Sequence, residues 1–127
     1  MCGWLVSADT QGTLTELATA LQAKARRLQS GDEATQKAAL VDELDAERVI
    51  AIGNGANDAR MLRQAALGTL ALAGSARVAV LGDEGLAAVC MTAADVVVPS
   101  IESALDLLLY PRRLVATLRT QATGVAR

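Results

Sequence analysis

Residues 49–62 read VIAIGNGANDARML, and the change of pattern in their middle decides the fold. Val49, Ile50, Ala51 and Ile52 form a continuous apolar run, the pattern of a strand buried on both faces rather than on one. The run stops at Gly53-Asn54-Gly55-Ala56-Asn57-Asp58, and helical spacing follows through Met61, Leu62, Ala65 and Ala66. Two glycines let the backbone turn sharply between strand and helix, while Asn54 and Asp58 offer oxygen ligands suited to a hard cation. A tight turn in which Asn57 or Asp58 caps the next helix accounts for the same residues. A dinucleotide fingerprint fits less well, because the third glycine is absent and Arg60 stands nearby.

Outward from this stretch, strand and helix signals alternate. Upstream, Trp4-Leu5-Val6 is a short apolar run closed by Ser7-Ala8-Asp9. Gly12 and Thr13 open a helical spacing through Leu14, Leu17, Ala18 and Leu21 that ends near residues 24–27, and residues 28–30 read as a short edge strand, Arg26 and Arg27 making it a poor central one. Ser30-Gly31-Asp32 is a turn able to cap a helix over residues 33–44, with Ala34, Ala38, Val41 and Leu44 as its apolar stripe. Downstream, residues 69–76 show no clear period, residues 78–81 read as a strand, residues 84–91 as a helix and residues 96–98 as a last strand. Residues 101–109 predict a helix stopped at Pro111, with the leucines from Leu105 to Leu109 on its buried face. Residues 112–119 are again helical, and residues 120–127 form a frayed tail.

Continuous apolar strands, each followed by a helix, predict an α/β fold over residues 1–119: one parallel sheet with helices on both faces. Ligands of such sheets gather at the carboxyl ends of the strands. Two strand ends are polar in a specific way, Ser7-Ala8-Asp9 and the loop from Gly53 to Asp58.

Composition narrows the chemistry. The chain has 127 residues, 52% of them hydrophobic and 20% charged, with a net charge of −2, which fits one domain with a real core. That charge balance leaves no electrostatic footprint for nucleic acid, Arg112, Arg113 and Arg119 being read as a solvated helix face, and no apolar run reaches membrane-spanning length. Histidine is absent, which removes Ser-His-Asp triads, Cys-His pairs and His-ligated zinc together. Carboxylates, amides, hydroxyls, Lys and Arg remain, the palette of magnesium and phosphate sites. Cys2 and Cys90 are far apart and make no CxxC pair, so a reduced, cytoplasmic setting is expected, with Cys90 a small buried apolar residue. Residues 1–6 lack the basic start of a signal peptide.

These blocks carry a resemblance. VIAIGNGANDARML resembles the fourth motif of the haloacid dehalogenase superfamily, most closely in its soluble branch related to the P-type ATPases. GDEATQK at residues 31–37 resembles that branch's third-motif region, AVLGDEG at 79–85 its next strand and turn, and ALDLLLYPRRLVATLR at 104–119 its closing helices. The resemblance implies a Rossmann-like core with little or no cap. It also implies Mg²⁺-dependent hydrolysis of a phosphorylated substrate, a phosphomonoester, through an aspartyl-phosphate. Lys37 would then be the phosphate-binding lysine, and Asn54 and Asp58 the metal residues, within a loop shaped by Gly53, Gly55 and Asn57. Asn54 stands where most relatives carry an Asp, and a neutral amide there weakens the site for a cation.

Two readings place the nucleophile. In one, DTQGTLT at residues 9–15 resembles the phosphorylated signature of P-type ATPases and Asp9 attacks; Gln11 then orients water but transfers no proton. In the other, LVSADTQGT at residues 5–13 resembles the second motif, Ser7 is the hydroxyl that meets the phosphoryl group, and the nucleophilic Asp lies on an earlier strand missing from this chain. Spacing favours the second, because only one weak strand fits between Asp9 and Val49. Two strand edges would then stand open, so a second copy or a strand-donating partner is expected. The alternative function is an inactive fragment or interaction module without a nucleophile, and residues 69–76 read as a short insertion.

Overall fold

A computed structural model describes residues 3–7, 14–65 and 76–118 of the chain. The elements run β1 (Trp4–Ser7), α1 (Leu14–Ala20), β2 (Lys24–Arg27), α2 (Glu33–Glu43), β3 (Ile50–Gly53), α3 (Ala59–Gln64), β4 (Ala76–Val80), α4 (Ala88–Ala93), β5 (Val96–Val98), α5 (Ile101–Leu109) and α6 (Pro111–Thr117). Single 3-10 turns at Ala46–Arg48 and Ala56–Asp58 precede β3 and α3. The alternation predicted from the sequence is therefore present, and every strand pair is parallel.

The strands do not form the single sheet expected. Among the described residues, β1 pairs with β2 in one sheet and β3, β4 and β5 form another in that order. The three-stranded sheet carries helices on both faces. On one side Ala51 and Ala79 meet Val41, Leu62, Ala65, Cys90 and Ala93 from the layer of α2, α3 and α4. On the other, Val78, Val80 and Val98 meet Ala104 of α5, and Ala76 meets Leu114 and Leu118. None of these three clusters includes a buried residue of β1, α1 or β2. That unit buries Leu14 and Ala18 of α1 and joins α2 through an Arg26–Glu43 ion pair and through Gln36, whose amide bonds both the N–H and the C=O of Gln29.

Helices α2, α3 and α4, which follow β2, β3 and β4, pack side by side, whereas α1 packs on β1 and β2.

Several local expectations need correction. Strand β2 occupies Lys24–Arg27, where the end of a helix was expected, and Leu28, expected within the strand, is buried just beyond it. Gln22, with φ of 55°, turns the chain out of α1 early. The charged strand is tolerated because Lys24 and Arg26 lie 5.3 and 5.5 Å from the Trp4 ring centroid. In α1, Leu14 and Ala18 are buried, but Leu17 and Leu21 of the expected stripe face solvent. In α5, Leu105 and Leu109 are 46% and 71% exposed rather than buried. Three consecutive leucines carry no helical period, and it is Ala104, with Leu107 half-buried beside it, that meets the sheet. Residues 69–75, the tail at 120–127 and Arg119 lie outside the described residues.

Candidate functional site

The candidate site grows from the carboxyl end of β3. After Ile52 the apolar run ends, and Gly53 can be nothing larger: a Cβ there would stand 2.5 Å from the Cβ of Asp58. That close approach lets the Asp58 side chain fold back over the loop. Its Oδ2 accepts the backbone N–H of Asn54 and of Gly55, each at 3.1 Å. Asp58 precedes α3 as its N-cap yet makes no side-chain cap bond, so the carboxylate is spent on the preceding loop instead of the following helix.

Its other oxygen meets α2. Lys37 Nζ donates to Asp58 Oδ1 at 2.6 Å, and the two side chains are only 13% and 12% exposed. Such a charge-assisted bond, shielded from water, is far stronger than a surface pair. Helix α2 is held in register for it by flanking ties: Arg60 of α3 donates to Thr35 Oγ1 at 2.8 Å, and Gln64 to Asp42 Oδ1 at 2.7 Å. A third element closes the loop from the β4 side. The carbonyl of Asn54 accepts the N–H of Ala87 at 3.0 Å, and the Asn54 amide nitrogen lies 3.5 Å from where a Cβ on Gly82 would stand. Beneath the loop, Cys90 is fully buried, and burial first and the Asp58 charge second push its thiol above the ordinary range.

Of the residues expected at a site, the structure gathers Lys37, Gly53, Asn54, Gly55, Asn57 and Asp58 around one loop. Ser7 closes β1 in the other sheet. Asp9 lies outside the described residues. The direct Lys37–Asp58 bond, the Gly53 contact and the Asn54–Ala87 tie were not read from the sequence. Only the first had a signal, since opposite charges on two adjacent motif blocks invite pairing.

A six-oxygen cation shell is not made by these side chains alone. Asn54 offers an amide, and both carboxylate oxygens of Asp58 are already engaged by an ammonium and two amide N–H groups. Among the described residues no cluster of three or more His, Cys, Asp or Glu is placed to hold a metal. What the arrangement does offer is a nearly buried ammonium with N–H groups to spare, at the carboxyl end of a parallel strand. No helix among the described residues is long and apolar enough to cross a membrane.

Comparison with known proteins places the chain beside an archaeal relative. No protein-family model matches the chain, and no solved structure does. A protein of Methanocaldococcus jannaschii named uncharacterized protein MJ0073 is 40% identical over 100 residues, which cover 76% of this chain and 98% of that protein. The chain belongs to the family of that archaeal protein.

Proposed function

We propose that the chain is a phosphoryl-handling domain of the haloacid dehalogenase type, from the soluble branch related to P-type ATPases, with a Rossmann-like core and little or no cap. The Lys37–Asp58 pair carries this reading. Two blocks, residues 31–37 and 53–58, resemble the third and fourth motifs of that superfamily, and they meet through a 2.6 Å bond at a strand's carboxyl end. In this role Lys37 is a point charge for a phosphoryl oxygen, held in place by Asp58, and the backbone of Gly53 to Gly55 shapes the wall beside it. Ser7 would add a hydroxyl from β1.

The activity proposed is hydrolysis of a phosphomonoester. A carboxylate oxygen attacks phosphorus as the ester P–O bond breaks and the leaving alcohol takes up a proton; water then cleaves the acyl phosphate, returning the carboxylate and releasing phosphate. The division of the strands bears on which carboxylate attacks. An attacking Asp9 calls for β1 at the centre of the sheet beside β3, whereas β1 pairs with β2. This supports Ser7 as the second-motif hydroxyl, with the attacking carboxylate on a separate strand. A non-catalytic binding module is the second reading, favoured by the engagement of both Asp58 oxygens.

Binding of inorganic phosphate, followed by backbone amide NMR shifts at Gly53 to Gly55, tests the proposal. Lys37→Met should weaken binding by about tenfold or more, equivalent to ~1.4 kcal/mol. Absence of binding, or binding indifferent to Lys37→Met, overturns it. Turnover of a generic phosphomonoester with Mg²⁺ that disappears in Asp9→Asn would move the nucleophile to Asp9, and phosphate binding without turnover favours the binding module.

A further inference from the structure

We infer that the free edge of β2 is a docking ledge for an acidic, extended segment of a partner protein, which adds there as a strand. The inference uses neither Lys37 nor the phosphohydrolase reading.

In a parallel ladder alternate residues direct both N–H and C=O to the same neighbour, so the observed bonds fix what faces the other way. The N–H groups of Lys24 and Leu28 bond the carbonyls of Gly3 and Ser7, which assigns Lys24, Arg26 and Leu28 to β1. Ala25 and Arg27 therefore turn their N–H and C=O away from β1. On that side β2 has no strand neighbour among the described residues, and both residues are exposed. No hydrogen bond outside the ladder with β1 engages the backbone of either. One rung further, the side-chain amide of Gln36 does what a neighbouring strand would do. Its Oε1 accepts the N–H of Gln29 at 2.8 Å, and its Nε2 donates to the Gln29 carbonyl at 2.7 Å. The ledge is thus formed by Ala25 and Arg27 and is closed at its carboxyl end by Gln36.

The side chains beside the ledge choose its occupant. Lys24 and Arg26 line one face of the edge and Arg27 the other, since side chains alternate along a strand. Arg26 is engaged by Glu43 and Lys24 lies over the Trp4 ring, but neither Lys24 nor Arg27 has a carboxylate partner among the described residues. Like charges opposed across two strands repel and opposite charges attract. The basic row therefore turns away the same edge of a second copy and favours a strand that carries Asp or Glu. A nucleic-acid backbone would also meet the cations, but phosphate oxygens only accept, and the carbonyls of Ala25 and Arg27 would stay unpaired. An extended peptide brings donors and acceptors together. Strand addition of this kind gains affinity from main-chain bonds and specificity from the alternating side chains. A ledge this short predicts a weak complex that salt weakens further.

A peptide of alternating glutamate and valine serves as probe, titrated into the full chain with backbone amide NMR as the readout. Expected is saturable binding with shifts centred on the Ala25 and Arg27 amides, whose hydrogen exchange slows by about tenfold or more at saturation. A lysine–valine peptide of the same length should bind at least about tenfold more weakly, and so should the glutamate–valine peptide N-methylated along its backbone. Arg27→Glu should weaken the acidic peptide by about fivefold or more and strengthen the lysine–valine peptide, with far-UV and Trp4 fluorescence signals unchanged. Shifts centred on other amides, equal binding of the lysine–valine or N-methylated peptide, indifference to Arg27→Glu, or no binding overturns the proposal. Tighter binding of oligouridylate at the same edge also overturns it, in favour of a single-stranded nucleic acid. Phosphate binding at Lys37 is read from the amides of Gly53 to Gly55, so its failure leaves the strand result standing.

Discussion

Lys37 and Asp58, 21 positions apart, meet at 2.6 Å beneath a loop that shields all but about an eighth of either side chain. Asp58 is buried and satisfies three donors at once: Lys37 Nζ and the N–H groups of Asn54 and Gly55. The pair therefore ties α2 to the end of β3, and its two halves are unequal. Removing the ammonium leaves a carboxylate still held by two N–H groups, whereas removing the carboxylate strands a shielded cation and two amides. Urea unfolding should show Asp58→Ala destabilised by about 3–5 kcal/mol and Lys37→Met by less, about 1–3 kcal/mol. The double variant should fall short of the sum by about 1 kcal/mol or more, and strict additivity would show that the pair is not coupled.

The glycine at the strand end gives a sharper test of the loop. A Cβ on Gly53 would meet the Cβ, Cγ and Oδ2 of Asp58 at 2.5 to 2.8 Å, and the first of these is fixed by the backbone. A Cβ on Gly82 meets only the end of the Asn54 side chain, at an ordinary 3.5 Å. Gly53→Ala should destabilise the fold by about 1–3 kcal/mol and disturb the Asn54 and Gly55 amide resonances, while Gly82→Ala should stay within about 0.5 kcal/mol of the parent. Equal effects of the two substitutions would contradict this geometry.

How much of this was legible depends on the kind of signal. Strands β3 and β5 and helix α5 carried theirs in uninterrupted apolar runs or clean stops, and their limits matched within a residue. Strand β2 was hidden because Lys24, Arg26 and Arg27 look like the end of a helix, and what stabilises Lys24 and Arg26 is the Trp4 ring on a strand far away in sequence. The leucines at 107–109 were misassigned because a continuous apolar run has no phase, and only packing against Val78 and Val98 chooses which side is inward. At the site, residue types were readable but not the bonds. The direction of the Asp58 carboxylate depends on the absence of a Cβ at Gly53, a three-dimensional fact that spacing does not encode.

The ion pair between β2 and α2 makes a pH-dependent tether. Arg26 holds the Glu43 carboxyl below its ordinary range, by its hydrogen bonds first and its charge second. A carboxyl lowered in the fold contributes stability that is present above its unfolded pKa and is lost as pH falls through the folded value. Both groups are exposed, so the change should be local rather than global. Trp4, the single tryptophan, lies 5.5 Å from the Arg26 guanidinium and reports it. Its fluorescence should shift as pH falls below the ordinary carboxylate range, before the far-UV signal is lost, and Glu43→Gln should already show the shifted emission near neutral pH. Coincident fluorescence and far-UV transitions in the parent chain would argue against a separate tether.

Beneath the loop, Cys90 offers a reading of the site from below. Burial, and then the negative charge of Asp58, raise its thiol above the usual range, and the side chain is fully enclosed among Leu62, Ala79 and Ala93. The sign follows from linkage: the fold favours the protonated thiol, so stability is full below the unfolded thiol pKa and declines as pH rises through it towards the folded value. With Cys2→Ser leaving Cys90 as the one thiol, alkylation at mildly alkaline pH should proceed at least about tenfold more slowly than in urea, because attack needs a thiolate and an opening. Asp58→Asn removes the charge and should speed alkylation by more than its loss of stability alone explains. Under the same conditions Cys90→Ala should lose about 1 kcal/mol at neutral pH through its small cavity, yet show a flatter alkaline decline than the parent. Alkylation as fast in the folded chain as in urea would place Cys90 outside the core, and with it the floor on which Asp58 rests.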